Sequence, residues 1–415
     1  MHIFLDEFKL AYDMQKRSNS SLAVPHEDWR ERLRHQIEHS GISEQLMSIS
    51  QDIISGKLPT LEQGLYLLND ANLSELGQVA HWMKQSMYDN NVFFNSNVHI
   101  NQTNICVLAC KFCAFRRGPK SEDAYEFSVE EYIEDLEQYA NHVDEVHTVG
   151  GLHPNWTILH YEELFSSVRS RFPHISIKSL SAVEIKHIST LSGLSFKKTL
   201  ERLKNAGLTS LPGGGAEILD DDVRSIICKG KESSEEYLEI HRTAHQLRIP
   251  SNCTMLFGTI ESPTQRIEHL LQLQNLQSQT NGFQCFVPYP FLQDNSRLPE
   301  AQLATGQEIL RMIAVSRIML PNIPHIKSYR MNIGDHLAEL ALQYGADDID
   351  GTVQKESIMH LAGSDAGLDL DTQMLARLIQ NAGGVAVRRN TTYTKATIFE
   401  AKPQVKTIAL PMARG

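Results

Sequence analysis

The feature that most constrains this 415-residue chain is Cys106-Val107-Leu108-Ala109-Cys110-Lys111-Phe112-Cys113, three thiols at the spacing C-x3-C-x2-C. Residues 97–105, just before it, read as a strand ending in a polar turn. Three closely spaced thiolates suit a [4Fe–4S] cluster better than zinc. A structural zinc site closes its tetrahedron with four ligands, usually as two C-x2-C pairs or with a Cys/His pair. No fourth Cys lies nearby, so one iron keeps an open position. S-adenosylmethionine (SAM) needs such a position if its amino and carboxylate groups are to chelate the cluster. Two plainer readings stand beside this one: a zinc knuckle completed by a distant His, and three unrelated buried thiols.

Composition narrows the setting. The chain is long enough for one large domain or two smaller ones, and its 41% hydrophobic content supplies a sizeable core. A formal charge of −11, with no basic run longer than Arg116-Arg117 or Arg388-Arg389, excludes a nucleic-acid face. No apolar stretch reaches membrane-spanning length, and residues 1–25 are too polar for a secretory leader. Cys228, Cys253 and Cys285 are scattered, which is no disulfide framework. The expectation is a cytoplasmic protein that binds neither nucleic acid nor membrane.

Residues 1–95 read as mostly helical, with Leu76, Val79, Ala80, Met83 and Met87 at helical spacing, and form an N-terminal cap without chemistry of its own. From residue 97 strands and helices alternate. The strands fall near residues 97–105, 143–149, 175–183, 208–211, 252–257, 283–287, 325–329 and 346–350. Helix starts are marked by Ser128 with Glu131, Ser233 with Glu236, and Ser262-Pro263 with Gln265. Eight short apolar strands alternating with helices predict an α/β fold, a parallel (β/α)8 TIM-type barrel over residues 96–368. A doubly wound open sheet is the alternative. Residues 369–415 follow as a C-terminal helix and tail with a strand-like Val385-Ala386-Val387.

A barrel gathers functional residues at the C-terminal ends of its strands. There lie the Cys triplet, Gly150-Gly151-Leu152-His153-Pro154, Ser181-Ala182-Val183-Glu184 and Gly213-Gly214-Gly215-Ala216-Glu217. Glycines let backbone approach a ligand and offer N–H groups. His153, Arg297, Lys327 and Arg330 are the candidate partners for an anionic substrate. Asp347, Asp348 and Asp350 read as a solvated strand end, Cys253 and Cys285 as buried hydrophobes, and His241 with His245 as a helix surface.

The triplet resembles the cluster motif of the radical SAM enzymes, which implies Cys106, Cys110 and Cys113 as ligands and Phe112 beside the adenine. Gly150-Gly151 matches the element that meets the amino group of the SAM methionine in that family. The strings GGLHP (150–154), SAVEI (181–185), LPGGGAEI (211–218) and DDIDGTV (347–353) look like those of the aminofutalosine synthase family, over roughly residues 60–390. Tyr329-Arg330-Met331-Asn332 is more polar than that family, which leaves the role of Arg330 open. The resemblance implies a radical SAM barrel with His153 and Glu184 facing the reaction; Glu184 and Glu217 read either as partners of the SAM ribose or amino group or as buried structural hydrogen-bonders. The resemblance also implies a transferase that joins SAM and the dianion 3-[(1-carboxyvinyl)oxy]benzoate. The products would be 6-amino-6-deoxyfutalosine, methionine and CO2 or bicarbonate, on the futalosine route to menaquinone. A small flavodoxin- or ferredoxin-type protein would supply electrons. Alternatives are a dehypoxanthine futalosine cyclase or deazaflavin synthase, or a non-catalytic iron–sulfur or zinc protein.

Overall fold

The computed structural model describes residues 22–368 and 371–402; the outermost parts of the expected cap and tail, 1–21 and 403–415, lie outside it. Its strands are β1 (Asn91–Phe94), β2 (Asn97–His99), β3 (Glu145–Thr148), β4 (Ser176–Ser179), β5 (Leu208–Ser210) and β6 (Ser251–Phe257). They continue with β7 (Phe283–Pro290), β8 (His325–Ser328), β9 (Asp348–Ile349), β10 (Val385–Arg389) and β11 (Ala396–Ile398).

β2 to β5 pair in parallel in chain order, as do β6 to β9. Two joints turn these halves into a ring. Leu211, one residue past β5, bridges to Ser251 at the start of β6. Beyond β9 the chain runs back beside β2, where Gln354 N donates to Asn97 O (3.3 Å) and His99 N to Lys355 O (3.2 Å). Eight parallel strands, β2 to β9, thus close as the expected barrel rather than as an open doubly wound sheet.

Local chemistry explains where the helices begin. Ser128, Ser233 and Ser262 each accept from the backbone three residues on, and Glu131, Glu236 and Gln265 return the bond. Gly207 ends helix Phe196–Ala206 with φ 135°, a conformation that a Cβ would strain.

Three expectations change. The strand expected over residues 175–183 stops at Ser179, because Ser181 is already the N-cap of helix Ala182–Ser192, with Glu184 as its capping-box partner. The stretch 1–95 is not helical to its end, for β1 pairs with both β9 and β10. β10 and β11 therefore extend the barrel's sheet instead of lying on it as a tail. Three hydrophobic residues in β1, Val92, Phe93 and Phe94, were not enough, in sequence, to separate a strand from the helix before it.

Among the described residues no helix is long and apolar enough to cross a membrane.

Candidate active site

Cys106, Cys110, Cys113 and Phe112 share one cavity of about 290 Å³ with Gly150 and Gly151, at the C-terminal mouth of the barrel. Glu184, Glu217 and Lys231 line it as well. On the far wall stand Tyr289, Tyr329, Asn332 and Glu356, and deeper in the barrel His99 and His147.

The Cys loop is tied at several points. Lys111 N donates to Ile227 O (2.8 Å), and Val107 N to Leu152 O (3.0 Å). The Arg297 guanidinium donates to Ala109 O (2.8 Å) and Cys110 O (3.1 Å). Arg297 therefore braces the cluster loop and is not a substrate cation. Burial pushes the Cys110 thiol up to about 12 and raises Cys113 too, so a bound metal must supply the energy that keeps them as thiolates. Among the described residues no three His, Cys, Asp or Glu side chains converge on a point for a single ion. The three thiols line one cavity wall, and a donor set of three thiolates fits a multi-iron cluster with one thiolate per iron.

The glycines act differently from expectation. Gly151 N donates to Thr103 O (2.8 Å) and Gly150 N to Glu184 Oε1 (3.1 Å), so neither N–H is left for a ligand. A Cβ on Gly151 would lie 2.2 Å from Ile105 O, so only glycine lets this turn press on the segment that leads into the Cys loop. Both glycines line the cavity, and with their N–H groups engaged the backbone group left to them is the carbonyl, the kind of acceptor an ammonium group needs.

The Glu184 carboxylate is buried and fully used. Its second oxygen accepts from Ser181 N (2.7 Å) and Ser181 Oγ (2.5 Å), and burial raises its pKa to about 6. Glu184 thus holds the glycine turn while itself lining the cavity. Glu217, at φ 46°, forms a close ion pair with Lys231, whose ammonium lies 5.4 Å from the Phe112 ring centroid. Nothing in the sequence marked Lys231, which sits in a turn just before a capped helix.

His153 stands apart. Its Nε2 meets Glu126 at 2.5 Å, its Nδ1 accepts from Asn155 N (3.2 Å), and its ring stacks on Trp156 at 4.5 Å. It is not among the residues that line the cavity, and the reading of it as facing the reaction is withdrawn.

Lys327 and Arg330 are withdrawn as substrate cations for the same reason. Lys327 pairs with Asp348, and Arg330 with Asp335 (3.0 Å). The Asp347–Asp350 stretch is not solvated: Asp348 is buried among Lys327, Arg389 and Tyr393, and Asp347 between Arg317 and His325. His241 and His245 are buried around the Ser251 hydroxyl (2.9 and 2.8 Å), not on a helix surface. Short-range pattern could not show these partners, which come from strands and helices far apart in the chain.

Residues 100–273 match the family model described as the radical SAM superfamily, and residues 280–402 the CofH/MqnC C-terminal region. An aminodeoxyfutalosine synthase of Thermus thermophilus is 37% identical over 86% of this chain and 97% of its own. One from Streptomyces coelicolor is 39% identical over 83% and 92%. A 5-amino-6-(D-ribitylamino)uracil–L-tyrosine 4-hydroxyphenyl transferase of Methanoculleus marisnigri is 37% identical over 84% and 97%. Among solved structures, a methylornithine synthase gives a TM-score of 0.66 at 18% identity, over 81% of this chain and 96% of its own. HydG, a maturase of [FeFe]-hydrogenase, gives 0.67 at 15%, over 88% and 80%. At such identities these two structures speak for the fold alone.

Proposed function

Because this chain belongs to the radical SAM superfamily and is an enzyme of its CofH/MqnC family, we propose that it joins the 5′-deoxyadenosyl group of SAM to 3-[(1-carboxyvinyl)oxy]benzoate. The product is 6-amino-6-deoxyfutalosine, with methionine and CO2 or bicarbonate released, a step of menaquinone biosynthesis. The observation that carries this reading is the similarity to two aminodeoxyfutalosine synthases at 37% and 39% identity across nearly their whole lengths.

Cys106, Cys110 and Cys113 would hold the [4Fe–4S] cluster, which when bound supplies the one electron that cleaves the SAM C–S bond. The rest is this chain's own work. The Gly150 and Gly151 carbonyls accept the methionine ammonium, and the Phe112 face with the Lys231–Glu217 pair borders the adenosine. The barrel walls exclude water, so the reacting carbons meet within near-attack range before the radical is quenched. A small flavodoxin- or ferredoxin-type protein is the proposed electron source, and the cytoplasm the proposed compartment.

A second reading has a comparable observation behind it: the transferase relative that acts with L-tyrosine is also 37% identical. One experiment separates the two. The anaerobically reconstituted enzyme is incubated with SAM labelled in its adenosyl ribose and either the enolpyruvyl benzoate or L-tyrosine together with 5-amino-6-(D-ribitylamino)uracil. A labelled coupled aryl product from the benzoate is the expected result. Label found only in 5′-deoxyadenosine, or turnover with tyrosine instead, sinks the synthase reading.

A further inference from the structure

His99 on β2, His147 on β3 and Lys178 on β4 are register partners in turn, so they stand as one lateral row on the inner face of the barrel. The two imidazole rings lie with centroids 4.3 Å apart, and both line the cavity. His99 Nε2 is 3.3 Å from Asn97 Nδ2, while the ring nitrogens of His147 have no hydrogen-bond partner among the described residues. Histidines at the C-terminal ends of barrel strands, lining a cavity and with donor capacity left over, are uncommon without a ligand to receive it.

The charge behind the row points to the ligand's sign. Lys178 meets Glu145 at 3.5 Å, and one oxygen of that carboxylate accepts no hydrogen bond. Lys327 and Arg389 both pair with Asp348, which also accepts from Tyr393 Oη (2.8 Å). Lys178, Lys327 and Arg389 thus gather around the Glu145 and Asp348 carboxylates in this layer. Asp350, the next carboxylate along, is turned away to cap the backbone N–H groups of Arg330 (2.6 Å) and Met331 (3.0 Å). A basic layer behind two cavity-lining imidazoles attracts an anion arriving from the cavity more than a neutral or cationic group.

We propose that the His99–His147–Lys178 row is the subsite for the arene carboxylate of the substrate, the carboxylate that survives into the product. This rests on the synthase reading above for the identity of the arene. Neutral imidazole N–H groups donate directly, and Lys178 supplies the field behind them. Burial and the nearby Lys178 and Lys327 hold both imidazoles uncharged, with His147 at about 3. The Cys triplet lies beyond the strand ends, above this row. A benzoate anchored by its carboxylate therefore presents its meta substituent toward the cluster wall, where the enol carbon must be.

The test uses the full-length reconstituted enzyme without reductant, so that nothing turns over. Two probes are titrated calorimetrically: 3-(carboxymethoxy)benzoate, a saturated dianion, and its benzoate methyl ester. Wild type is expected to bind the dianion about ten-fold or more tighter than the ester. His147→Phe should lose that preference while binding the ester as before, and His147→Gln, which keeps a donor, should retain most of it. Lys178→Met serves as the second variant, with its thermal melt checking that it folds. If His147→Phe and a folded Lys178→Met both keep the wild-type preference, the subsite is wrong, even where labelled SAM still yields the coupled product. If the coupled product is absent but the preference exists and falls in the variants, the subsite stands and the synthase reading is what fails.

Discussion

The Gly150 amide donates to the Glu184 carboxylate at 3.1 Å, so the turn after β3 is held by the first turn of the helix that follows β4. One buried carboxylate therefore closes a helix cap and fixes the backbone that faces the cofactor. Glu184→Ala removes three hydrogen bonds and leaves the Gly150 and Ser181 amides unpaired. It is expected to cost about 1–3 kcal/mol and to raise the KM for SAM more than it lowers kcat. Denaturant melts and steady-state kinetics check this; an unchanged KM would show that the turn does not depend on Glu184.

Replacing Cys106, Cys110 or Cys113 by Ala is expected to abolish iron incorporation and turnover, since each thiolate would serve a different iron. Cys228, Cys253 and Cys285 are buried and lie outside the cavity lining, so single Ser variants should keep their iron. Iron and acid-labile sulfide analysis decides. Iron loss in one of the latter three would indicate a fourth protein ligand.

Gly151→Ala drives a methyl group to 2.2 Å from Ile105 O. The clash is with backbone, so no side-chain rotation relieves it. A loss of about 2–3 kcal/mol and impaired cluster assembly are expected, read by thermal melt and iron content of the purified variant.

Glu184 and Glu232 make a pH-dependent pair of effects. Burial raises their pKa values to about 6 and about 7, against 4.5 for a free Glu. A carboxyl whose folded pKa is raised binds its proton more tightly when folded, so stability falls as pH climbs from about 4.5 through the folded pKa, then levels off. Glu232 sits 3.3 Å from Arg224, yet neither of its oxygens accepts a hydrogen bond. Glu232→Gln should therefore gain on wild type between pH 4.5 and 7, by on the order of 2 kcal/mol. The comparison with wild type matters, because buried neutral histidines such as His81 and His245, both at about 4, push stability the other way in the same window. A constant difference across that range would refute the assignment.

Asp348 is the counter-ion of both Lys327 and Arg389 in the barrel interior. Asp348→Asn strands two buried cations and is expected to cost about 3–5 kcal/mol, measured by chemical denaturation. His153→Gln, outside the cavity, should by contrast leave the KM for SAM within about two-fold of wild type, a change worth less than 0.5 kcal/mol.

Sequence alone determined what depends on neighbours along the chain. The Cys triplet, the capping boxes at Ser128, Ser233 and Ser262, the glycine turn after β3 and the alternation of strands with helices are all set within a few residues. Their geometry is dictated by 3.6- and 2-residue periods and by orphan N–H groups at helix starts. Tertiary structure alone decided what depends on register and closure. It turned Glu184 from a cofactor candidate into the clamp on Gly150, buried the Asp347–Asp350 carboxylates, and moved His153 out to Glu126. It also brought His99, His147 and Lys178, spread over 79 positions of sequence, into one row. A strand's inner residues acquire meaning only once the strand beside it and the offset between them are fixed. Those pairings are chosen by the closing of the whole barrel, which no local stretch encodes.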